Sequence, residues 1–66
     1  MTVIVHFQIY CHEDSRCSLK VVGEDGVREF DDVLTAIDAA RGLSTTGKSP
    51  LTVYSTLGTV IVETLV

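Results

Sequence analysis

The sequence predicts a small α+β domain in which one helix packs on a four-stranded antiparallel sheet, in the order β-β-α-β-β. Three observations lead to this prediction: apolar residues alternate with polar ones near both ends of the chain, they recur at helical spacing only in the middle, and 66 residues are enough for one domain. A single amphipathic helix can cover one face of such a sheet. We therefore treat residues 1–66 as a single domain.

The first part of the chain is expected to form a hairpin. Residues 2–11 are rich in Val, Ile, Phe and Tyr and alternate, which is typical of a strand. Residues 17–22 return across the polar loop 12–16. A Gly-Glu-Asp-Gly turn follows, and residues 27–30 extend or pair briefly.

The middle of the chain predicts the helix. Asp31 or Asp32 is expected to cap it, because a carboxylate accepts hydrogen bonds from the first amides and suits the positive end of the dipole. The helix should run to about Arg41, with Gly42 just past its end. Its apolar stripe is expected to comprise Val33, Leu34, Ile37 and Ala40.

Two more strands are expected at 51–56 and 59–66, joined near Leu57-Gly58 as a second hairpin. A loop rich in Ser, Thr and Gly leads from the helix to them. Numbering the four predicted strands in chain order, we expect the spatial order 2-1-3-4.

A set of core positions resembles a known group. Its motifs here are Val27-x-x-Phe30, Asp31-Asp32, Ala36-Ile37-x-x-Ala40-Arg41, Leu51-x-Val53-Tyr54 and a turn at Gly58. This pattern, which covers residues 18–62, is similar to short bacterial proteins of unknown function with a hairpin-helix-hairpin order. The chain departs from them in lacking an aromatic residue near Leu19 and in having Leu57-Gly58 at the turn. The resemblance supports the fold and implies no chemistry. A bacterial or phage accessory protein that binds another protein is the candidate role.

The string Gly42–Ser49 matches the phosphate-binding motif G-x-x-x-x-G-K-[ST]. That motif works between a strand and a helix, because the helix N-terminus points at the phosphates. Here a helix precedes the string and a strand follows it, and Pro50 disfavours helix at Ser49. We interpret Gly42–Ser49 as a flexible crossover loop, with weak anion binding as the alternative.

Two cysteines, Cys11 and Cys17, flank the first hairpin loop. They could be ordinary thiols, a cross-strand disulfide closing a short loop in an oxidising compartment, or metal ligands together with His12. Structural zinc normally takes four nitrogen or sulfur ligands, and His12 points away from Cys11 if the strand is regular there. We predict no cofactor and no metal, with Cys11, His12 and Cys17 as the candidates for a metal site.

Charge and composition exclude several classes of function. Nine acidic and five basic residues give a formal net charge of −4, which argues against direct nucleic-acid binding. The N-terminal apolar run contains His6 and Gln8, so it is too short and too polar for a signal peptide or a membrane span. We therefore expect a cytoplasmic protein. It is not expected to be an enzyme, since no paired carboxylates and no nucleophile near His6 can be argued.

The sheet face opposite the helix predicts the function. It mixes large apolar side chains with a few charges, whereas a solvated face is mostly polar, and contiguous apolar patches usually mark interfaces. We predict a non-enzymatic interaction domain that binds a second copy or another protein through this face or the sheet edge. The alternative is a small metal- or anion-binding domain using the Cys11–Cys17 loop or Gly42–Ser49. The predicted interface residues are Ile4, His6, Tyr10, Tyr54, Ile61 and Leu65.

Overall fold

The computed structural model describes residues 4–44 and 47–66, which form one helix and a five-stranded sheet. The elements are β1 (Phe7–Cys11), β2 (Cys17–Val21), β3 (Arg28–Phe30), α1 (Val33–Leu43), β4 (Pro50–Tyr54) and β5 (Val60–Leu65). The predicted α+β class with a single helix is confirmed. The predicted four-stranded antiparallel sheet is wrong, because the sheet has a fifth strand and is mixed.

The spatial order of the strands is β3-β2-β1-β4-β5. The predicted 2-1-3-4 order survives as β2-β1-β4-β5, and β3 adds outside β2. β1 and β4 are parallel, with Phe7 beside Leu51 and Tyr10 beside Tyr54. The other three neighbouring pairs are antiparallel.

The short strand β3 explains why β1 and β4 are parallel. It pairs antiparallel with β2, with Cys17 opposite Phe30, so it runs in the direction of β1. The chain therefore enters α1 at the end of the sheet where β1 finishes, and the helix returns it to the other end. β4 then starts where β1 starts, as parallel neighbours joined by a crossover do. The prediction that residues 27–30 extend or pair briefly included this pairing, but not the reversal of chain direction that follows from it.

The helix has well-bonded ends. The Asp32 carboxylate accepts from the Thr35 amide at 2.7 Å, and this contact lowers the pKa of Asp32 below its usual value. At the other end the Ser44 amide donates to the carbonyls of Ala40 and Arg41. The helix thus includes Gly42 and ends later than expected. No helix among the described residues is long and apolar enough to cross a membrane.

The core lies between α1 and the sheet. The helix contacts β1, β2 and β3 and presents Ala36 and Ala40, which are completely buried. Their small side chains let the helix lie close to the sheet, so the longer Ile37 sits half-buried at the flank and Leu34 is 72% exposed. Leu34 is therefore not part of the buried stripe. The remaining buried apolar residues of the core are Phe7, Ile9, Cys17, Leu19, Leu51, Val53 and Val66.

Candidate interaction surface

Strand β5 is the most exposed part of the sheet. All six of its residues are exposed, although four of them are large and apolar. These four side chains, which we call the β5 patch, are Val60 (49% exposed), Ile61 (57%), Val62 (41%) and Leu65 (59%). Among the described residues β5 has a single neighbour, β4, so its other edge is the open edge of the sheet.

The hydrogen bonds of β5 show which of its backbone groups face the open edge. Ser49 and Val66 exchange two backbone hydrogen bonds, of 3.0 and 2.9 Å. Bonded and non-bonded positions alternate along an antiparallel ladder, so Thr64 and Val62 also turn towards β4. Glu63 and Leu65 direct their N–H and C=O groups outwards. They supply the backbone groups that an added strand would meet.

A bulge joins the β5 patch to the open sheet face, which is the face opposite α1. The register shifts between Val53 and Tyr54, so Val62 lies opposite Val53 but Val60 lies opposite Tyr54. Tyr54 alternates with the buried Val53 and therefore lies on the open face. Val60 shares that face as its cross-strand partner. The patch thus reaches both faces of the sheet.

Two tyrosines lie together on the open face, towards the ends of β1 and β4. The rings of Tyr10 and Tyr54 stack across the β1–β4 pair, with centroids 5.0 Å apart and planes 9° from parallel. The Tyr10 hydroxyl donates to Gln8 Oε1 at 2.8 Å. Both rings are half-buried. Each therefore offers its outer surface to a partner while its position is fixed by the other ring, a contact that contributes about 1 kcal/mol.

The structure brings four of the six predicted interface residues into one region. Tyr10 and Tyr54 stack. Leu65 of β5 lies opposite Pro50 of β4, and Ile61 lies in the bulged part of β5. Ile4 and His6 precede β1 and are exposed. Val60 and Val62 are surface residues that were not predicted. The signal was three consecutive apolar residues, Val60 to Val62, which break the alternation of a half-buried strand.

Cys11 and Cys17 are direct cross-strand partners. Their Sγ atoms are 3.6 Å apart, and the Cys17 thiol donates to Cys11. Burial, followed by the contact with Cys11, raises the pKa of Cys17 to about 11. His12 instead places Nε2 at 2.6 Å from Ser18 Oγ, on the face opposite the thiols. No three His, Cys, Asp or Glu side chains in residues 4–44 and 47–66 come together to hold a metal.

A polar chain on the open face was not predicted. Ser18 Oγ donates to Glu29 Oε1 at 3.2 Å and lies 2.6 Å from His12 Nε2. A hydroxyl has one proton, so His12 is the donor to Ser18 when Ser18 donates to Glu29. Ser18 is buried, and neither described cleft reaches it. The arrangement connects β2, β3 and the first hairpin loop, and finding it requires the register of all three segments.

The Gly42–Ser49 string does not form a phosphate cradle in the part that is described. Thr45 and Thr46 lie outside the described residues. Ser49, which would bind the magnesium ion in the motif, is buried, accepts from Ser44 Oγ at 3.2 Å and pairs its backbone with Val66. A helix precedes the string and a strand follows it, as expected. These contacts make Ser49 a structural residue.

The cleft beside the end of α1 is small and shallow. It has a volume of about 280 Å³ and lies between the β2–β3 turn and the end of α1. Ligand pockets usually have about 300–1,000 Å³ and enclose most of the ligand. The cleft is lined by Leu19, Val21, Glu24, Asp25, Val27, Arg28 and Leu43.

Comparison with known proteins gives no match: no family model, no curated protein and no solved structure is similar to this chain. The resemblance to short bacterial hairpin-helix-hairpin proteins therefore stays a prediction. Function has to be argued from the surface itself.

Proposed function

We propose that this chain is a non-enzymatic protein–protein interaction domain that pairs with a second copy of itself through β5 and the adjoining open face. The observation that carries the proposal is the exposure of all six β5 residues, four of them large and apolar. Contiguous apolar surface of this kind usually marks an interaction site.

The open edge supports pairing between strands. Monomeric proteins usually protect an exposed edge strand from pairing with lysines, proline or a covering segment. β5 has one charged residue, Glu63, and no proline. Its bulge lies near Val60, so the backbone from Val62 onwards is regular. An added strand would gain main-chain hydrogen bonds from Glu63 and Leu65.

Charge selects the register for a second copy. Two antiparallel β5 strands centred on Glu63 would place the two carboxylates directly opposite each other, which is unfavourable. Centring the pair on Thr64 avoids this contact, because Glu63 then meets Leu65 of the other copy. It also uses only the regular part of β5 beyond the bulge.

The size of a stable interface brings in the open face. The edge of a six-residue strand is about 20 Å long and about 10 Å thick, whereas a stable complex buries about 800 Å² per partner. The edge alone is too small. The tyrosine pair and Val60 lie on the open face beyond the paired segment, so other parts of the second copy would contact them; aromatic side chains are typical anchors of interfaces.

Sedimentation equilibrium of the full chain over a concentration series tests the proposal. We expect a dimer at high micromolar concentration, with the dissociation constant of Leu65→Lys raised by about tenfold or more, because a lysine at the edge loses apolar contact and resists strand addition. Leu34→Lys is the matched control: it makes the same change at a leucine that is exposed on α1, and it should leave the dissociation constant unchanged.

A second pair of variants tests whether the open face takes part in the dimer. Tyr54→Asp should also weaken the dimer, whereas Tyr54→Phe, which retains the stacked ring, should not. A wild-type protein that stays monomeric at high micromolar concentration would contradict self-association. Equal weakening by Leu65→Lys and Leu34→Lys would move the interface away from β5.

A metal- or anion-binding role is the alternative, and the geometry favours it less. His12 contacts Ser18 rather than the two thiols, and the Ser49 hydroxyl is buried and bonded to Ser44. Metal analysis of the purified protein tests this alternative directly. A stoichiometric metal lost in Cys11→Ser would support it.

A further inference from the structure

We propose that Cys11 and Cys17 are a redox pair, which a small-molecule disulfide such as oxidised glutathione converts into a cross-strand disulfide. The pair is separate from the β5 surface, because the two cysteines lie opposite each other in β1 and β2, next to the loop of the first hairpin. It takes no part in the proposed self-association.

The strand register places the two thiols for bond formation. Cys11 lies directly opposite Cys17, and their Sγ atoms are 3.6 Å apart. Backbone hydrogen bonds join His12 to Arg16 and Val22 to His6, so the pairs on this ladder alternate and Cys11–Cys17 is a non-hydrogen-bonded pair. Such pairs have Cα atoms about 4.5 Å apart. This spacing is within the range of disulfides, about 4.4–6.8 Å, so side-chain rotation can close the bond.

The two thiols differ in access, which gives the order of the reaction. Cys11 is partly exposed, whereas Cys17 is 2% exposed. Cys11 therefore meets the oxidant first. Its thiolate attacks one sulfur of oxidised glutathione, the glutathione disulfide bond breaks, and one glutathione thiolate leaves. Cys17, whose Sγ lies 3.6 Å from Cys11 Sγ, then loses its proton, attacks that sulfur as the thiolate and releases the second glutathione as a thiolate that takes up a proton.

The exchange balances. Two cysteine thiols are oxidised by two electrons to one disulfide, the glutathione disulfide is reduced to two thiols, and the two cysteine protons end on the two glutathione molecules. Thiol–disulfide exchange is reversible, so the bond should open again with excess reduced glutathione.

Intact-mass measurement after incubation with oxidised glutathione tests the proposal. The wild-type protein should lose two hydrogen atoms, take up no iodoacetamide and carry no glutathione. Excess reduced glutathione should restore both thiols. In Cys17→Ala the first step can occur but the second cannot, so one glutathione should remain on Cys11.

The same reaction in urea separates folded geometry from nearness in sequence. The equilibrium constant for the internal disulfide should be about tenfold or more larger in the native protein than in the unfolded chain, because the fold holds the thiols together. Wild-type protein that keeps two thiols, accumulates glutathione adducts or forms covalent dimers would overturn the proposal. So would an equal constant in urea. The wild-type readouts decide the question even if Cys17→Ala fails to fold.

Discussion

In the half of the sheet formed by β3, β2 and β1, α1 lies over the apolar side chains, whereas apolar side chains in β5 remain exposed. The difference is one of dimensions. A helix is about 10 Å across, but five strands spaced by about 4.8 Å form a sheet about 19 Å wide. One helix cannot cover all of it. Because α1 packs towards β3, the uncovered strand is β5.

This comparison separates two uses of the same residue types. Ile9 in β1 is completely buried and stabilises the monomer, whereas Ile61 in β5 is 57% exposed. Burial of such a side chain is worth about 1.5–3 kcal/mol. In the covered half that stabilisation comes with folding of the chain, and in β5 it would come only with the proposed association.

The largest expected effect on the free energy of unfolding comes from replacing an isoleucine by alanine, once in the covered half and once in β5. Ile9→Ala should lower the free energy of unfolding by about 2–5 kcal/mol, because it opens a cavity in the core. Ile61→Ala should change it by less than about 0.5 kcal/mol when measured under monomeric conditions. Urea titrations at low protein concentration measure both. Equal losses would mean that β5 is as well covered as β1.

Enlarging a side chain between α1 and the sheet should have a smaller effect on the free energy of unfolding. Ala40 is completely buried and Ala39 half-buried. Ala40→Leu should cost about 1–3 kcal/mol, since the added atoms have no space between helix and sheet. Ala39→Leu adds the same atoms at the flank and should cost less. If the two variants were equally stable, the small residues would not explain where the helix lies.

The covered half was the more predictable from sequence. Alternation in β1 indicated Phe7 and Ile9 as inward-facing, and the helix followed from its cap and spacing. The strand β3 was not predicted as a full strand of the sheet, because three residues give too little alternation to detect. The direction of β4 relative to β1 was therefore predicted wrongly. Whether α1 covers β5 depends on the position of the helix across the sheet, and no local sequence pattern predicts that position.

The candidate surface was predictable to a similar extent. The alternation that marked Tyr10 and Tyr54 as outward-facing also placed them on neighbouring strands, but their stacking depends on the parallel register of β1 and β4. The thiol pair followed from a hairpin with its loop at residues 12–16. The contact between His12, Ser18 and Glu29 could not be derived, because it needs a third strand whose pairing the sequence hardly signals.

The pH dependence of stability tests how well the covered half excludes water. Burial first, and contact with Cys11 second, raises the pKa of Cys17 from 9.0 to about 11, so the folded protein holds this proton more tightly than the unfolded chain. The stabilisation is fully present below pH 9.0 and is lost as the pH rises towards about 11. Urea titrations across this window should show a decline in the free energy of unfolding that Cys17→Ala lacks. Cys11→Ala should retain part of the decline, because burial, the largest cause, remains. A decline that disappears equally in both variants would assign the shift to the thiol pair instead of to the cover that α1 provides.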